Sequence, residues 1–317
     1  MLLLSSGCRR AAFEEPDWEN IELALNLSLH LEGWALRDDS TFRSYTREIK
    51  KLARRGERHG ARFTFEANDI IAASVEQGDD TLAELVDLEH AVEVHADLWG
   101  RLEGGGYEQA VSELRADRGG LSALGIDARH VSGACAELDW LEAASRAGFT
   151  SIGGLVAWCA KSLDADLQPP ELSDCEQPDD CHQPFLNFPD RLRPWRAGSS
   201  ARWTEVDPDG SVIMIPAATS LGCNQESAAD PSATDCEFTE EDLPLFFADL
   251  EHALDIAEPG GLEVFSVTWS MGGTLERDVL EQWFDRLQPY LDDGRVAWAT
   301  TGHIKDRFEA LEAREAR

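Results

Sequence analysis

The sequence predicts an α/β fold in which parallel strands alternate with helices and chemistry gathers at the strand ends. Two observations point there. Strand-like apolar runs and helix-period segments follow one another along most of the 317 residues, and two histidine–acid pairs fall where the first and third of those strands end. Such alternation makes a parallel sheet, because each parallel strand needs a crossover to return the chain. A barrel of this length commonly forms one domain.

Ile21 to His30 alternates apolar and polar residues, then turns apolar until Gly33 interrupts it, which predicts the first strand. Thr41 to His59 sets Phe42, Tyr45, Ile49 and Leu52 at helical spacing among basic residues and stops at Gly60. Ala61 to Phe65 predicts the next strand. The rhythm continues with a helix over Thr81–His90, a strand over Val92–Val94, a turn at Gly104–Gly106, a helix over Glu108–Leu124 and a short strand around His130 and Val131. Asp139–Ala147 reads as a helix closed by Gly148, and Phe149–Ile152 as a strand.

From Asp164 to Asp235 the chain is dense in Pro, Asp, Ser and Cys, and only Val212–Ile215 reads as a strand. Its cysteines, with Trp195 and Trp203, mark an elaborated insertion rather than a tether, since aromatics and cross-links pin packed structure. Regularity returns with a helix over Glu240–Ala257, a strand over Glu263–Val267, a helix over Thr274–Leu291, a strand over Val296–Ala299 and a helix from Ile304. The sequence holds no solenoid-period repeat, Walker loop or dinucleotide fingerprint.

Against 28 Lys and Arg stand 61 Asp and Glu, a net charge of -33 that repels phosphate backbones and argues against a nucleic-acid partner. Setting Cys8 aside leaves Cys135, Cys159, Cys175, Cys181, Cys223 and Cys236, an even number suited to three disulfides and an oxidising compartment. Six cysteines allow fifteen connectivities. Nearness in sequence favours Cys175 with Cys181 and Cys223 with Cys236, leaving Cys135 for Cys159. A zinc–thiolate site competes, but no C-x-x-C pair is present.

Met1 to Cys8 resembles the end of a bacterial lipoprotein signal, so residues 1–12 read as a signal remnant with a lipid anchor at Cys8 as the membrane contact. An incidental cysteine near a frayed terminus is the open alternative. The expected organisation is one barrel domain over 13–317 with the insertion at about 164–235, exported to the periplasm, the exterior or the cell envelope.

The chemistry-bearing cluster is His30-Leu31-Glu32-Gly33-Trp34 and Glu93-Val94-His95-Ala96-Asp97. Strand ends are where parallel barrels collect catalytic groups. Residues two apart on a strand share a face, so His30 can act with Glu32 and His95 with Asp97. Imidazoles with carboxylates suit a divalent ion, zinc being the expectation, held by His30, Glu32 and His95. Two unrelated histidines bonded to carboxylates for structural reasons are the plainer alternative.

Longer segments resemble the polysaccharide deacetylases, the fourth carbohydrate esterase family. Arg58-His59-Gly60-Ala61-Arg62-Phe63-Thr64-Phe65 is similar to that family's helix-to-strand segment. His90-Ala91-Val92-Glu93-Val94-His95 is similar to the approach to its metal-binding histidine, and Arg129-His130-Val131-Ser132-Gly133 to its Arg-x-Pro-x-Gly motif without the proline. Val296 to Thr301 resembles its closing strand. The resemblance implies a distorted (β/α) barrel of about seven parallel strands.

It also implies that His95 is the first metal histidine, that Glu32 stands at the metal-binding aspartate and that Leu31 replaces the neighbouring general-base aspartate. Trp99 occupies the second histidine's place, for which His30 would substitute, and Phe265 to Trp269 lacks the late acid histidine, with His303 a distant stand-in.

The expected activity is attack of activated water on an N- or O-acyl group of a glycan, with Asp97 as base, Arg129 orienting a carboxylate or supporting the oxyanion, and Trp34, Trp99 and Trp269 stacking on sugar. Core packing is the ordinary role for any one of those tryptophans. A glycan-binding protein without catalysis and a hydrolase of a non-sugar substrate remain alternatives.

Overall fold

The computed structural model describes residues 16–31, 39–102, 105–169, 181, 185, 190–217, 219–221, 238–258, 260–271 and 277–315. Glu32, Trp34, Cys8, Cys175, Cys223 and Cys236 lie outside them. Strand β1 (Leu23–Leu31) is followed by α1 (Asp39–Arg58), β2 (Phe63–Ala67), α2 (Ile70–Gln77), α3 (Thr81–Asp87), β3 (Ala91–His95), α4 (Leu98–Arg101), α5 (Tyr107–Ala123), β4 (His130–Ser132), α6 (Trp140–Ala147) and β5 (Ser151–Ile152). Residues 164–235 contribute β6 (Trp195–Ala197), β7 (Val212–Met214) and β8 (Thr219–Leu221). Then come α7 (Asp242–Ile256), β9 (Val264–Ser270), α8 (Arg277–Asp292), β10 (Val296–Trp298) and α9 (Thr301–Glu315).

The strands form one sheet in the order β6-β7-β5-β4-β3-β2-β1-β9-β8, with β10 also on β1. Every ladder is parallel except β6 on β7. Strand β1 is the hub. It pairs with β9 from Ala24 to His30 on one side, and on the other with β10 at Leu23–Leu25 and then β2 at Leu27–Leu31. That change of neighbour half-way along β1 distorts the barrel. The strand count exceeds the expected about seven because residues 164–235 hold three short strands.

All nine residues of β1 are buried, yet they divide by parity. Leu25, Leu27, Leu29 and Leu31 join the large apolar cluster that also takes in helix residues, with Phe63 and Phe65 of β2 and Val92 and Val94 of β3. Asn26, Ser28 and His30 take the other face. There Asn26 Nδ2 donates to Ser266 Oγ at 3.0 Å, Thr64 Oγ1 donates to Asn26 Oδ1 at 3.1 Å and the Thr301 N–H donates to Thr64 Oγ1 at 3.1 Å. The barrel interior is thus polar and hydrogen-bonded, as burial of such groups requires.

Helix α1 buries Phe42, Tyr45, Ile49, Leu52 and Ala53, one face at helical spacing. Burying a side chain the size of Phe42 or Ile49 stabilises by about 1.5–3 kcal/mol. Helix α6 starts where Asp139 Oδ1 accepts the Glu142 N–H at 3.1 Å and ends at left-handed Gly148.

Cys135 and Cys159 are joined, tying the loop after β4 to the 3-10 turn Ala157–Ser162. Cys181 is also disulfide-bonded, to a partner outside the described residues. Trp195 and Trp203 are buried, with Trp195 Nε1 donating to Trp203 O at 2.7 Å and Trp203 Nε1 donating to Cys159 O at 3.1 Å. Both rings serve the core.

Candidate metal centre

Parallel register sets a ring of polar residues across adjacent strand ends. His30 is opposite Ser270 of β9 and Glu66 of β2, Glu66 is opposite Glu93 of β3, and His130 of β4 is opposite Ser151 of β5. One step further out, His95 is opposite Ser132. Because strand side chains alternate, these residues share the interior face while the leucines and phenylalanines between them face the helices.

Glu66 is the centre. Its Oε2 lies 2.9 Å from His30 Nε2 and accepts the Ser132 hydroxyl, while Oε1 lies 3.5 Å from His130 Nε2. His95 Nδ1 sits 2.8 Å from Ser132 Oγ, and the His30 and His95 rings stack with centroids 3.9 Å apart. The Ser132 hydroxyl donates its hydrogen bond to ionised Glu66, so His95 Nδ1 is the donor in its bond to Ser132 Oγ and Nε2 keeps the lone pair. His130 Nδ1 is held 3.0 Å from Ser151 Oγ.

The two buried carboxylates are driven in opposite directions. Burial pushes Glu66 upward, but its hydrogen bonds to His130 and His30, with the charges on those rings, overcome this and hold it well below the usual range. Glu93 meets two backbone donors instead, the Arg129 N–H at 2.8 Å and the His130 N–H at 2.9 Å, and burial prevails, raising it to about 7. Near neutrality Glu66 is ionised and Glu93 can carry a proton.

His30, Glu66 and His95 each offer one ligand atom, all within 4.8 Å of one another. Atoms about 2.0–2.2 Å from a common ion lie no more than about 4.4 Å apart, so a small side-chain shift completes the set. Two imidazoles and an ionised carboxylate fit a divalent cation, and Ser132 and His130 brace the carboxylate as outer partners do in metal sites. Binding would displace the proton shared by His30 Nε2 and Glu66.

Of the residues singled out from sequence, the structure brings His30 and His95 together. Glu32 and Trp34 lie outside the described residues. Asp97 follows β3 in left-handed backbone, φ 45°, with its side chain exposed at the head of α4. The Arg129 guanidinium is half exposed and forked on Asp127 at 2.9 and 2.7 Å, and only its backbone N–H reaches the ring, through Glu93. Trp99 is 46% exposed and meets Trp158 edge-on at 5.9 Å, whereas Trp269 is buried against Phe238 on the helix-facing side. Leu31 is fully buried in the core. His303 Nδ1 accepts the Thr300 N–H at the start of α9.

Glu66, His130 and Ser132 were not expected as site residues. The signal for Glu66 was the alternation Phe63-Thr64-Phe65-Glu66, which puts the acid on the polar face one residue beyond the segment compared with the deacetylases.

Gly133 holds the cluster's edge. Its φ is 62°, and a Cβ there would lie 2.7 Å from Asp97 N and 3.0 Å from His95 Cε1. The backbone is laced at the same place, Ala96 N–H to Ser132 O and Leu98 N–H to Gly133 O, both 2.8 Å.

A distorted parallel barrel with this histidine–carboxylate centre at its strand ends is a deacetylase-like fold. A crystal structure assigned provisionally as a polysaccharide deacetylase from Mycobacterium smegmatis matches with a TM-score of 0.56 over 92% of each chain, at 13% identity. The 4-alpha-glucanotransferase from Thermococcus litoralis matches with a TM-score of 0.50 over 91% of this chain and 40% of that one, at 12% identity. At such identities the likeness is one of fold. No protein-family profile matches the sequence, and no curated protein shows significant similarity to it.

Proposed function

We propose that the protein is a divalent-metal-dependent hydrolase, zinc being the expected ion, that removes N- or O-acyl groups from an envelope or extracellular glycan. The observation that carries this reading is the convergence of His30, Glu66 and His95 from three adjacent strand ends. When bound, the ion supplies Lewis acidity for hydrolysis. Glu66, kept ionised by His130 and His30 and oriented by Ser132, and His95, kept in one tautomer by Ser132, make a pre-organised ligand set. Asp97, two residues past His95 and exposed, is the carboxylate assigned to accept a proton from the attacking water. The exposed Trp99 ring is assigned to stack on a sugar face.

The bond between Cys135 and Cys159 and the bonded Cys181 support export. No described helix is long and apolar enough to cross a membrane.

A second reading, glycan binding without catalysis, is favoured by Leu31, which fills the family's base position and lies in the core. Metal analysis and acetate release from acetylated oligosaccharides separate the two. The hydrolase reading expects stoichiometric metal lost in His95→Ala and Glu66→Gln, and chelator-sensitive acetate release. Metal-free wild type defeats it, and bound metal with glycan binding but no turnover selects the second reading.

A further inference from the structure

The exposed face of α1 stands out from the rest of the molecule. Arg43, Arg47, Lys51, Arg54 and Arg58 are all exposed. At about 100° and 1.5 Å per residue they fall within an arc of about 80° and run about 22 Å along the helix. This is a basic ridge on a chain whose net charge is -33.

The ridge is incompletely neutralised. Lys51 pairs with Glu48 at 2.6 Å, and Arg54 reaches Glu84 only at 3.6 Å. Among the described residues no carboxylate lies within ion-pairing distance of Arg43, Arg47 or Arg58. The cations on the flanks of α1 are matched by acids from neighbouring helices. Lys50 holds Asp80 at 3.0 Å and Glu84 at 2.9 Å on one side, and Arg55 holds Glu281 at 2.9 Å on the other. The fold therefore quenches both margins and leaves the crest charged.

The ridge also begins at the end of the barrel that carries the metal centre. Tyr45, two residues from Arg43, donates its hydroxyl to Met271 O at 2.9 Å, and the Met271 N–H donates to His30 O at 2.9 Å. The first turns of α1 thus pack beside the strand ends where His30 sits.

We infer that this ridge binds an extended anionic polysaccharide, one bearing carboxylates along its length, that runs from the barrel mouth down α1. A ridge one side chain wide between acidic margins suits a single polymer strand. A flat anionic surface would press on Asp80, Glu84 and Glu281 as well. Screening beyond about 8 Å at physiological ionic strength lets the local cations act despite the overall charge. That the same polymer is the substrate rests on the hydrolase reading above. The binding itself does not.

The test measures binding of the full chain, in chelator, to polygalacturonate, to a neutral glucan of matched length and to phosphatidylglycerol vesicles. The expected result is binding to polygalacturonate alone, weakening about 100-fold between about 50 and about 200 mM salt. Substituting Arg43→Ser, Arg47→Ser and Arg58→Ser together should weaken it by about tenfold or more, while Arg202→Ser with Arg314→Ser leaves it unchanged. Equal binding to the neutral glucan, preference for vesicles, or an unchanged affinity in the triple variant with its melting temperature intact would each overturn the inference. Because binding is measured in chelator it does not depend on the metal, so retained binding together with no acetate release from the metal-loaded protein removes the hydrolase reading and leaves the ridge standing.

Discussion

At the scale of single residues, the centre depends on keeping two buried carboxylates in opposite states. Glu93 holds its proton up to about 7 in the folded chain, against an ordinary value of 4.5. The native state therefore binds more protons than the unfolded state in that window, and stability falls as pH rises through it, by about 3 kcal/mol when complete. Glu93→Gln keeps an acceptor for the Arg129 and His130 N–H groups without the charge. Buried His90, lowered to about 4, works in the opposite sense over much of the same window, so the readout is the difference between the two proteins. In denaturant melts of the metal-free protein from pH 4 to 8, wild type should lose about 3 kcal/mol relative to the variant as pH rises from about 4.5 to about 7. Gly133→Ala should destabilise by about 1–3 kcal/mol and displace His95, read as a lower urea midpoint with weakened metal affinity, because φ 62° and the contacts to Asp97 and His95 admit no Cβ.

His30 and His95 were legible in the sequence because they end apolar strands beside acids. Glu66 was not, because a lone acid after Phe65 gains meaning only when register sets it beside His30. Arg129 shows the converse limit. A motif placed it at the right strand, but parity sends its guanidinium to Asp127 while His130 takes the interior.

At the scale of elements, the alternation of strands and helices could be read wherever a helix carried a clean apolar face, as α1 and α6 do. Helices α2 and α4 escaped because their cues are weak: α2 buries only Ile70, Ile71 and Ser74, and α4 is a four-residue turn with only Leu98 buried. The bond between Cys135 and Cys159 spans 24 residues and fixes the 3-10 turn carrying Trp158, the ring that supports Trp99. Replacing both cysteines with serine should lower stability by about 3 kcal/mol. It should also loosen the Trp99 wall, measured as a lower melting temperature and a fluorescence change absent in a Trp99→Phe background.

At the scale of the whole molecule, the excess of acidic groups makes the compact state repel itself. Melting temperature should rise as monovalent salt increases from about 10 to about 300 mM, where the Debye length falls from about 30 Å to below 8 Å. A salt-independent melt would mean that local pairs such as Arg101 with Asp117 and Glu113 dominate.

The three-sided pairing of β1 has a kinetic consequence. Its partners at Val264–Ser270 and Val296–Trp298 leave the ribosome more than two hundred residues later. Until then only β2 can pair with it, and the seven residues from Ala24 to His30 that β9 will cover stay open on the other edge. Contacts so distant in sequence close slowly. The nascent chain therefore carries a sticky, half-paired strand for most of its synthesis, and its yield should depend on a chaperone that shields that strand until the last two strands arrive.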